Sequence, residues 1–265
     1  MWSSKLYNEY GQWKYPIGGK PNQTPQVDPY ENQGTSFHSE AYVLKSVTVC
    51  KEPSGAYFAS LLFCCENQAG KAQTESGKLL GIDYAMAGMA VFSDGSRANY
   101  PMYYKLAQKK LAREQRKLSR CVRGSRNYYR QKRKVSLIHE KIRNQRKDYQ
   151  HKLSHRLARE YDAVCVKDLD MKTMSQTLHL GKGIMDNGYG DFLSMLEYKL
   201  AYNGKKLIRI DRFYPSSKRC SCCGKVKIKL PLSQRVYQCS GGNCMDRDVN
   251  AVINIREEGR RILCA

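Results

Sequence analysis

Short apolar stretches that alternate with polar residues recur along the chain, and they predict β-strands. The first two cover residues 42–50 and 57–65, with the turn-forming sequence Glu-Pro-Ser-Gly at 52–55 between them. Four more short apolar stretches follow, at 79–83, 87–92, 163–166 and 206–210. Strands that alternate with helical stretches around one apolar sheet indicate an α/β core.

The pattern between residues 101 and 160 changes to a helical one. Gly124 and Ser125 interrupt it near the middle, which predicts a helical hairpin. In the second arm, apolar residues recur at helical spacing and are expected to be core contacts: Val135, Ile138, Ile142, Tyr149, Leu153 and Leu157. Two further helices are predicted, at residues 191–202 and 248–259.

The remaining segments are polar. Residues 1–40 show little periodicity and are predicted to be partly disordered, and residues 66–78 are expected to be a linker. The sequence contains no stretch of about 20 apolar residues that could span a membrane, and the N-terminus lacks the apolar run of a signal peptide. These features predict a cytoplasmic protein, in the bacterial cytosol or nucleoid.

Charge adds a candidate partner to this picture. Lys and Arg number 46 against 24 Asp and Glu, a net charge of +22, which indicates a nucleic-acid partner. Residues 101–160 alone hold 20 basic residues against four acids, and this nearly uniform sign favours a surface that follows a phosphate backbone. The predicted nucleic-acid-binding residues are Lys109, Lys110, Arg113, Arg116, Lys117, Arg120, Arg123, Arg126, Arg130, Arg133, Lys134, Arg143 and Arg146.

The spacing of four cysteines near the C-terminus is typical of a zinc ribbon. Two residues separate Cys220 from Cys223, and four separate Cys239 from Cys244. Two short chelating turns of this kind supply the four soft ligands of tetrahedral zinc. Cys244 is the least secure ligand, and Cys222 could take the place of a neighbour. A closed four-cysteine site predicts structural zinc and a reducing compartment.

Carboxylates add candidate chemistry. Asp83 ends an apolar strand, and Asp246 and Asp248 lie directly after the cysteines. Separated carboxylates on neighbouring sheet elements are how an RNase H-like nuclease collects ligands for two divalent cations that act on a phosphodiester. Hard magnesium ions bind such oxygen ligands.

Five short segments carry a resemblance to a known family. They are residues 81–83, 167–171, 186–190, 216–220 and 246–251, and they occur in the family's order. From about residue 42 to residue 259 the chain resembles TnpB, the transposon-encoded relative of the type V CRISPR effectors. The resemblance implies an RNA-guided DNA endonuclease that binds guide RNA and double-stranded target DNA.

The resemblance also implies a fold. An α/β, RNase H-like (RuvC-type) domain carries a long basic helical hairpin and an inserted four-cysteine zinc ribbon, and a remnant of a β-barrel wedge domain precedes it. The N-terminal portion is expected to be shorter than in the family. The expected divisions are a polar segment 1–40, a wedge-like segment and linker 41–78, a RuvC-like core 79–213 with the hairpin 101–160, a zinc ribbon 214–247 and a C-terminal RuvC helix 248–265.

The family's catalytic residues carry over in part. By resemblance, Asp83 matches the first RuvC carboxylate and Asp248 the third, and both would bind magnesium. The second is a Glu in the family, and Lys167 stands at that position. An ammonium group cannot bind a cation, and the next residue, Asp168, is expected to point to the opposite face of the strand.

Three functional hypotheses follow from these residues. The first is a TnpB-like protein that binds guide RNA and DNA but cleaves poorly because of Lys167. The second is an active endonuclease in which a displaced acid, Asp186 or Asp191, takes the place of the Glu. The third is a decayed fragment that binds nucleic acid without a guide.

Overall fold

A computed structural model describes residues 13–16, 42–65, 77–86, 88–177, 186–231 and 233–264. The strands are β1 (Trp13–Pro16), β2 (Tyr42–Lys51), β3 (Tyr57–Cys65), β4 (Leu79–Ala85), β5 (Met89–Phe92), β6 (Ala163–Lys167), β7 (Lys206–Ile210), β8 (Val236–Gln238) and β9 (Cys244–Asp246). The helices are α1 (Tyr103–Ser119), α2 (Arg126–Glu160), α3 (Met171–Thr177), α4 (Tyr189–Tyr202) and α5 (Arg247–Leu263).

The chain divides into two compact units. The first consists of Met1–Gln68 and Ala107–Asn144, and the second of Ala69–Leu106 and Gln145–Ala265. In the first unit, β1, β3 and β2 form an antiparallel sheet in that order. Four residues of the segment 1–40 form β1, which pairs with β3 and is too short to leave a periodic signal in the sequence. The rest of that segment and residues 66–76 of the predicted linker lie outside the described residues.

The second unit contains a four-stranded sheet in the order β5-β4-β6-β7. β4 and β6 run parallel, as do β6 and β7, whereas β5 is antiparallel to β4. The last registered pairs are Ile82 with Val166 and Lys167 with Ile210. The carboxyl ends of three strands therefore meet at one edge of the sheet.

Strand β6 is buried on both faces, as is typical of a central parallel strand. Val164 and Val166 belong to one core cluster, which includes Leu196 of α4. Cys165, which points the other way, belongs to a second cluster with Ile255 of α5. The sheet is thus covered by α4 on one face and by α5 on the other, which fixes the position of both helices relative to the strand ends.

The predicted helical hairpin is confirmed as two helices, α1 and α2, joined by a turn in which Gly124 has a φ of 82°. α2 is a single helix of 35 residues. Of its predicted core contacts, Ile142, Leu153 and Leu157 are buried and the others are half-buried. Among the described residues, no helix is both long and apolar enough to cross a membrane.

Close packing of α5 on the sheet gives a stability prediction. A Cβ atom on Gly259 would lie 2.0 Å from the Sγ of Cys165. We expect Gly259→Ala to lower the free energy of unfolding by about 2–3 kcal/mol, because the helix must move away from β6. Gly190→Ala is the matched control, since nothing lies within 4 Å of its Cβ position in α4. Urea denaturation would measure the free energy of unfolding of both variants, and equal values would contradict the prediction.

Candidate functional site

Two of the predicted site residues stand side by side at the edge of the four-stranded sheet. Asp83 follows Ile82 on β4 and Lys167 follows Val166 on β6, and these preceding residues are register partners in parallel strands. Side chains at equivalent positions of neighbouring strands point to the same face. The Asp83 and Lys167 side chains therefore lie on the same face of the sheet, and their opposite charges interact.

The electrostatics of this pair reflect burial and opposite charge. Burial raises the pKa of Asp83 to about 6, although the Lys167 charge and a hydrogen bond from the Tyr84 N–H (3.0 Å) act against the rise. Burial also lowers the pKa of Lys167, and the charges of Asp83 and Asp211 oppose that change. The Nζ atom of Lys167 donates a hydrogen bond to the Tyr214 carbonyl at 2.9 Å. The ammonium group is thus held in place by a backbone acceptor.

Asp248 reaches the same region from the first turn of α5. Asp246 caps this helix, because its Oδ1 accepts hydrogen bonds from the N–H groups of Asp248 (2.8 Å) and Val249 (3.1 Å). The charge of Asp248 adds to the rise in the pKa of Asp83. Arg97 pairs with both Asp246 (3.4 Å) and Asp248 (3.7 Å).

Two of the three acids that could replace the family Glu have other partners. The Oδ2 of Asp168 accepts a hydrogen bond from Arg212 at 2.8 Å. The two carboxylate oxygens of Asp186 accept hydrogen bonds from the N–H groups of Tyr104 (3.0 Å) and Lys105 (3.2 Å), so this buried residue caps α1. Asp191 lies exposed in the first turn of α4.

One acid near Lys167 was missed in the sequence. Asp211 directly follows Ile210 at the end of β7, beside Lys167, and its Oδ1 accepts a hydrogen bond from the Phe213 N–H at 2.6 Å. The signal was available, because an acid directly after a short apolar strand is the feature that singled out Asp83. The partners Arg97 and Tyr214 gave no such signal, since neither follows a recognisable motif.

The donors at this edge do not fit a pair of magnesium ions. Asp83 and Asp248 supply two carboxylates, but the side chain that follows Val166 on the neighbouring strand is an ammonium group, that of Lys167. An ammonium nitrogen has no lone pair to offer a cation, and its charge repels one. The arrangement therefore differs in chemistry from a complete two-metal site.

Three of the four predicted zinc ligands form a cluster near the C-terminus. The sulfur atoms of Cys220, Cys223 and Cys239 all lie within 4.8 Å of one another. Cys244, the fourth predicted ligand, is exposed at the start of β9 and is not a member of this cluster. Cys222 is also exposed and is not a member either.

The cluster has the chemistry of a soft-metal site. Burial raises the pKa of the Cys220 thiol, but hydrogen bonds from the N–H groups of Cys222 and Cys223 and from Asn243 lower it overall, to about 6. The Nδ2 of Asn243 donates to the Cys220 Sγ at 3.5 Å, and the Gly241 N–H donates to the Cys239 Sγ at 3.4 Å. Three clustered thiols with donors that stabilise thiolate fit zinc, which prefers sulfur ligands.

Most of the predicted nucleic-acid-binding residues are exposed, and Arg143 and Arg146 are the exceptions. Arg143 is half-buried and pairs with Glu52 at 3.1 Å. Arg146 is half-buried as well, and its Nη1 donates to the Asp186 carbonyl at 3.4 Å. The eleven other predicted residues, from Lys109 to Lys134, are exposed, although three of them also contact the fold: Arg113 and Lys117 pair with Glu114, and Arg133 donates to the Ser54 carbonyl.

Two family models match consecutive parts of the chain. Residues 62–178 match the family described as "Probable transposase", and residues 189–255 match "Cas12f1-like, TNB domain". The second match covers α4, β7 and the cysteine cluster.

Individual relatives agree with these matches. A protein of Streptomyces pristinaespiralis named "Putative RNA-guided DNA endonuclease" is 39% identical over 81% of this chain and 52% of its own length. The Escherichia coli (strain K12) protein "Putative RNA-guided DNA endonuclease InsQ" is 30% identical over 83% of this chain and 58% of its own length. The chain thus spans between half and three fifths of the length of these curated relatives.

A solved structure shares the fold. It is the cryo-EM structure of a Cas12f1-sgRNA-target DNA complex, whose protein superimposes with a TM-score of 0.55 at 18% sequence identity. The match covers 81% of this chain and 46% of the Cas12f1 chain. The expected mixed α/β fold is therefore confirmed at the level of its overall architecture.

Proposed function

We propose, from the premise that the chain belongs to the TnpB family, that it is an RNA-guided DNA-binding protein with impaired cleavage. Guide RNA and double-stranded target DNA are its proposed partners. The proposed architecture is a RuvC-type domain with a zinc ribbon inserted before α5 and a wedge-like sheet, β1–β3, before the domain. In this family, specificity would come from base pairing, while the protein contacts the shape and backbone of the nucleic acid.

The observation that supports impaired cleavage is the position of Lys167. RuvC-type cleavage depends on carboxylates that hold two divalent cations at the scissile phosphodiester. Lys167 follows the register partner of Ile82, the residue before Asp83, and donates to the Tyr214 carbonyl at 2.9 Å, so its charge would stand where the family has its second carboxylate. Asp83 and Asp248 would remain as two of the three catalytic carboxylates.

The contacts of the neighbouring acids weigh against an active site with a displaced acid. Asp186 uses both carboxylate oxygens to cap α1, and Asp168 is paired with Arg212. To bind a cation, either residue would first have to give up these contacts. Asp191, the other candidate, is exposed in the first turn of α4, so these contacts favour the first hypothesis over a displaced Asp186 or Asp168.

The cysteine cluster supports a separate proposal, a structural zinc site. Cys220, Cys223 and Cys239 would hold zinc, with Cys244 as the proposed fourth ligand. The thiolate ligands of such a site neutralise the cation and close its coordination sphere, which favours a structural role over a catalytic one. The site would stabilise the segment that leads into α5.

The decisive experiment uses the full chain purified from its native host together with its RNA. We expect a discrete RNA to co-purify and a duplex that matches the RNA to bind without Mg²⁺-dependent cleavage. Sequencing gels would detect cleavage, and gel shifts would detect binding. Mg²⁺-dependent cutting by the unaltered chain would refute impaired cleavage. The lack of any discrete RNA would instead favour guide-independent binding.

A second prediction concerns the basic surface. Arg126 and Arg130 are exposed at the start of α2, and each phosphate contact contributes about −0.9 to the slope of log affinity against log salt. We expect Arg126→Gln with Arg130→Gln to make this slope less steep by roughly 1.8. Arg260→Gln with Arg261→Gln is the matched control, since both residues pair with glutamates of α5. Equal slopes for the two double variants would contradict the assignment.

A further inference from the structure

Two buried asparagines of α5 face the cysteine segment. Asn250 is completely buried and Asn254 is 4% exposed, and their spacing of four residues places them on one face of the helix. Asparagine is a poor helix former, and a buried amide lowers stability unless its hydrogen bonds are satisfied. Their place in the helix therefore depends on the partners that they contact.

The partners are backbone groups of residues 216–221. The Nδ2 of Asn250 donates to the Arg219 carbonyl at 2.7 Å, and its Oδ1 accepts from the Ser221 N–H at 2.9 Å. The Nδ2 of Asn254 donates to the Arg219 carbonyl at 2.7 Å and to the Ser216 carbonyl at 2.8 Å. We call these four hydrogen bonds the asparagine clamp.

The clamp holds the backbone on both sides of Cys220. Arg219 and Ser221 are the chain neighbours of this buried cysteine, whose sulfur belongs to the thiol cluster. A metal bound at the cluster would fix the Cys220 sulfur and, with it, the two peptide groups that the clamp contacts. The first cysteine turn and α5 are thus joined by four hydrogen bonds of 2.7–2.9 Å from two buried side chains.

The other end of this connection is Asp248. It lies two residues before Asn250, in the first turn of α5, where its N–H bonds to Asp246. The path from the thiol cluster to Asp248 consists of the clamp and less than one helical turn. If metal binding orders Asp248 through this path, order at Asp248 must strengthen metal binding by the same factor, because coupling between two sites is reciprocal.

We propose that Asn250 and Asn254 are positioning residues that couple metal binding at the cysteine cluster to the order of the first turn of α5 and of Asp248. This inference rests on the proposed metal site. It assigns to the asparagine clamp a role that neither the thiols nor the carboxylates fulfil alone. Loss of the clamp separates the two sites without removing a ligand from either.

The test combines zinc affinity with hydrogen exchange in the full chain. In the unaltered chain, we expect a zinc chelator to speed exchange of the N–H groups of Asp248 and Val249. In Asn250→Leu with Asn254→Leu, exchange there should be fast with or without zinc. Zinc affinity, measured by competition with a chromogenic chelator, should fall by about 5- to 150-fold, the usual range of a coupling between sites. Asn254→Ala alone keeps the Asn250 contacts and should lower zinc affinity by an intermediate factor. This single variant tests the proposal even if the double variant does not fold.

Gln150→Leu separates coupling from simple destabilisation. Gln150 is a completely buried amide that donates to the carbonyls of Asn187 and Gly188, both at 2.8 Å. Its loss should lower stability but leave zinc affinity and the zinc dependence of exchange in α5 unchanged. Unaltered zinc affinity and exchange in the asparagine variants would overturn the coupling. An unaltered chain that takes up no zinc would overturn the metal site itself.

Discussion

Lys167→Glu is expected to convert a complex that binds a guide-matched duplex without cutting it into one that cuts in the presence of Mg²⁺. The substitution removes the ammonium group beside Asp83 and adds a carboxylate at the edge of the sheet where Asp83 and Asp248 already lie. Stabilisation by bound metal contributes several kcal/mol in the transition state, so we expect a rise in cleavage rate of about 100-fold or more. Time courses of duplex cleavage at saturating protein would measure it.

Lys167→Gln is the matched control for this gain. It removes the positive charge and keeps a side chain of similar length, but it adds no carboxylate. Cleavage should stay near background in this variant, because relief of charge repulsion alone does not complete the ligand set. The double variant Lys167→Glu with Asp83→Asn should also fail to cut. Equal activity of the Glu and Gln variants would show that Lys167 acts only through its charge.

Metal binding offers a readout that does not depend on a guide. In the unaltered chain, we expect Mn²⁺ to leave the melting temperature unchanged, because the Lys167 charge already balances Asp83. In Lys167→Glu, three neighbouring carboxylates should lower stability in the absence of metal, and Mn²⁺ should restore it, since a ligand that binds the folded state raises the melting temperature.

The strand ends that form the site could be predicted because they leave local signals. Asp83 and Lys167 each come directly after a short apolar stretch, at 79–82 and 163–166, and the parallel arrangement of β4 and β6 brings the carboxyl ends of these strands to one edge. Asp211 also follows a short apolar stretch, at 206–210, but it lies outside the five segments that carry the family resemblance. The central strand β6 is apolar on both faces, which is why its two core clusters follow directly from its sequence.

The contacts that decide the roles of the acids could not be predicted. Asp186 was a candidate replacement ligand, but it caps α1, which begins more than 80 residues earlier. The short strand β1 depends in the same way on a distant partner, β3. The anchor of Lys167 is a backbone carbonyl, a group that every residue has and that no sequence pattern marks. Non-local hydrogen bonds of this kind are set by the packed fold.

Removal of metal from the cysteine cluster is expected to unfold the ribbon at residues 214–247. Structural zinc contributes an apparent binding free energy of about 10–16 kcal/mol in zinc-finger peptides at pH 7, so its loss removes much of the stability of a small ribbon. We expect a chelator to expose residues 214–247 to proteolysis while the four-stranded sheet stays folded. Limited proteolysis followed by mass spectrometry would locate the cuts, and elemental analysis would give the zinc content.

Single cysteine variants should sort the ligands from their neighbours. Cys239→Ser should abolish stoichiometric zinc, because only two of the three clustered thiols then remain and the third cysteine left, Cys244, lies outside the cluster. Cys222→Ser is the control and should retain one zinc per chain, since this exposed thiol lies outside the cluster.

Cys244→Ser tests the proposed fourth ligand. Zinc affinity should fall by less than in Cys239→Ser, because the three clustered thiols remain and water can complete the tetrahedron. If instead Cys222→Ser lost zinc and Cys244→Ser kept full affinity, the second cysteine pair would have been wrongly assigned. The link from the ribbon to α5 would then run through Cys222, which is next to the clamped residue Ser221.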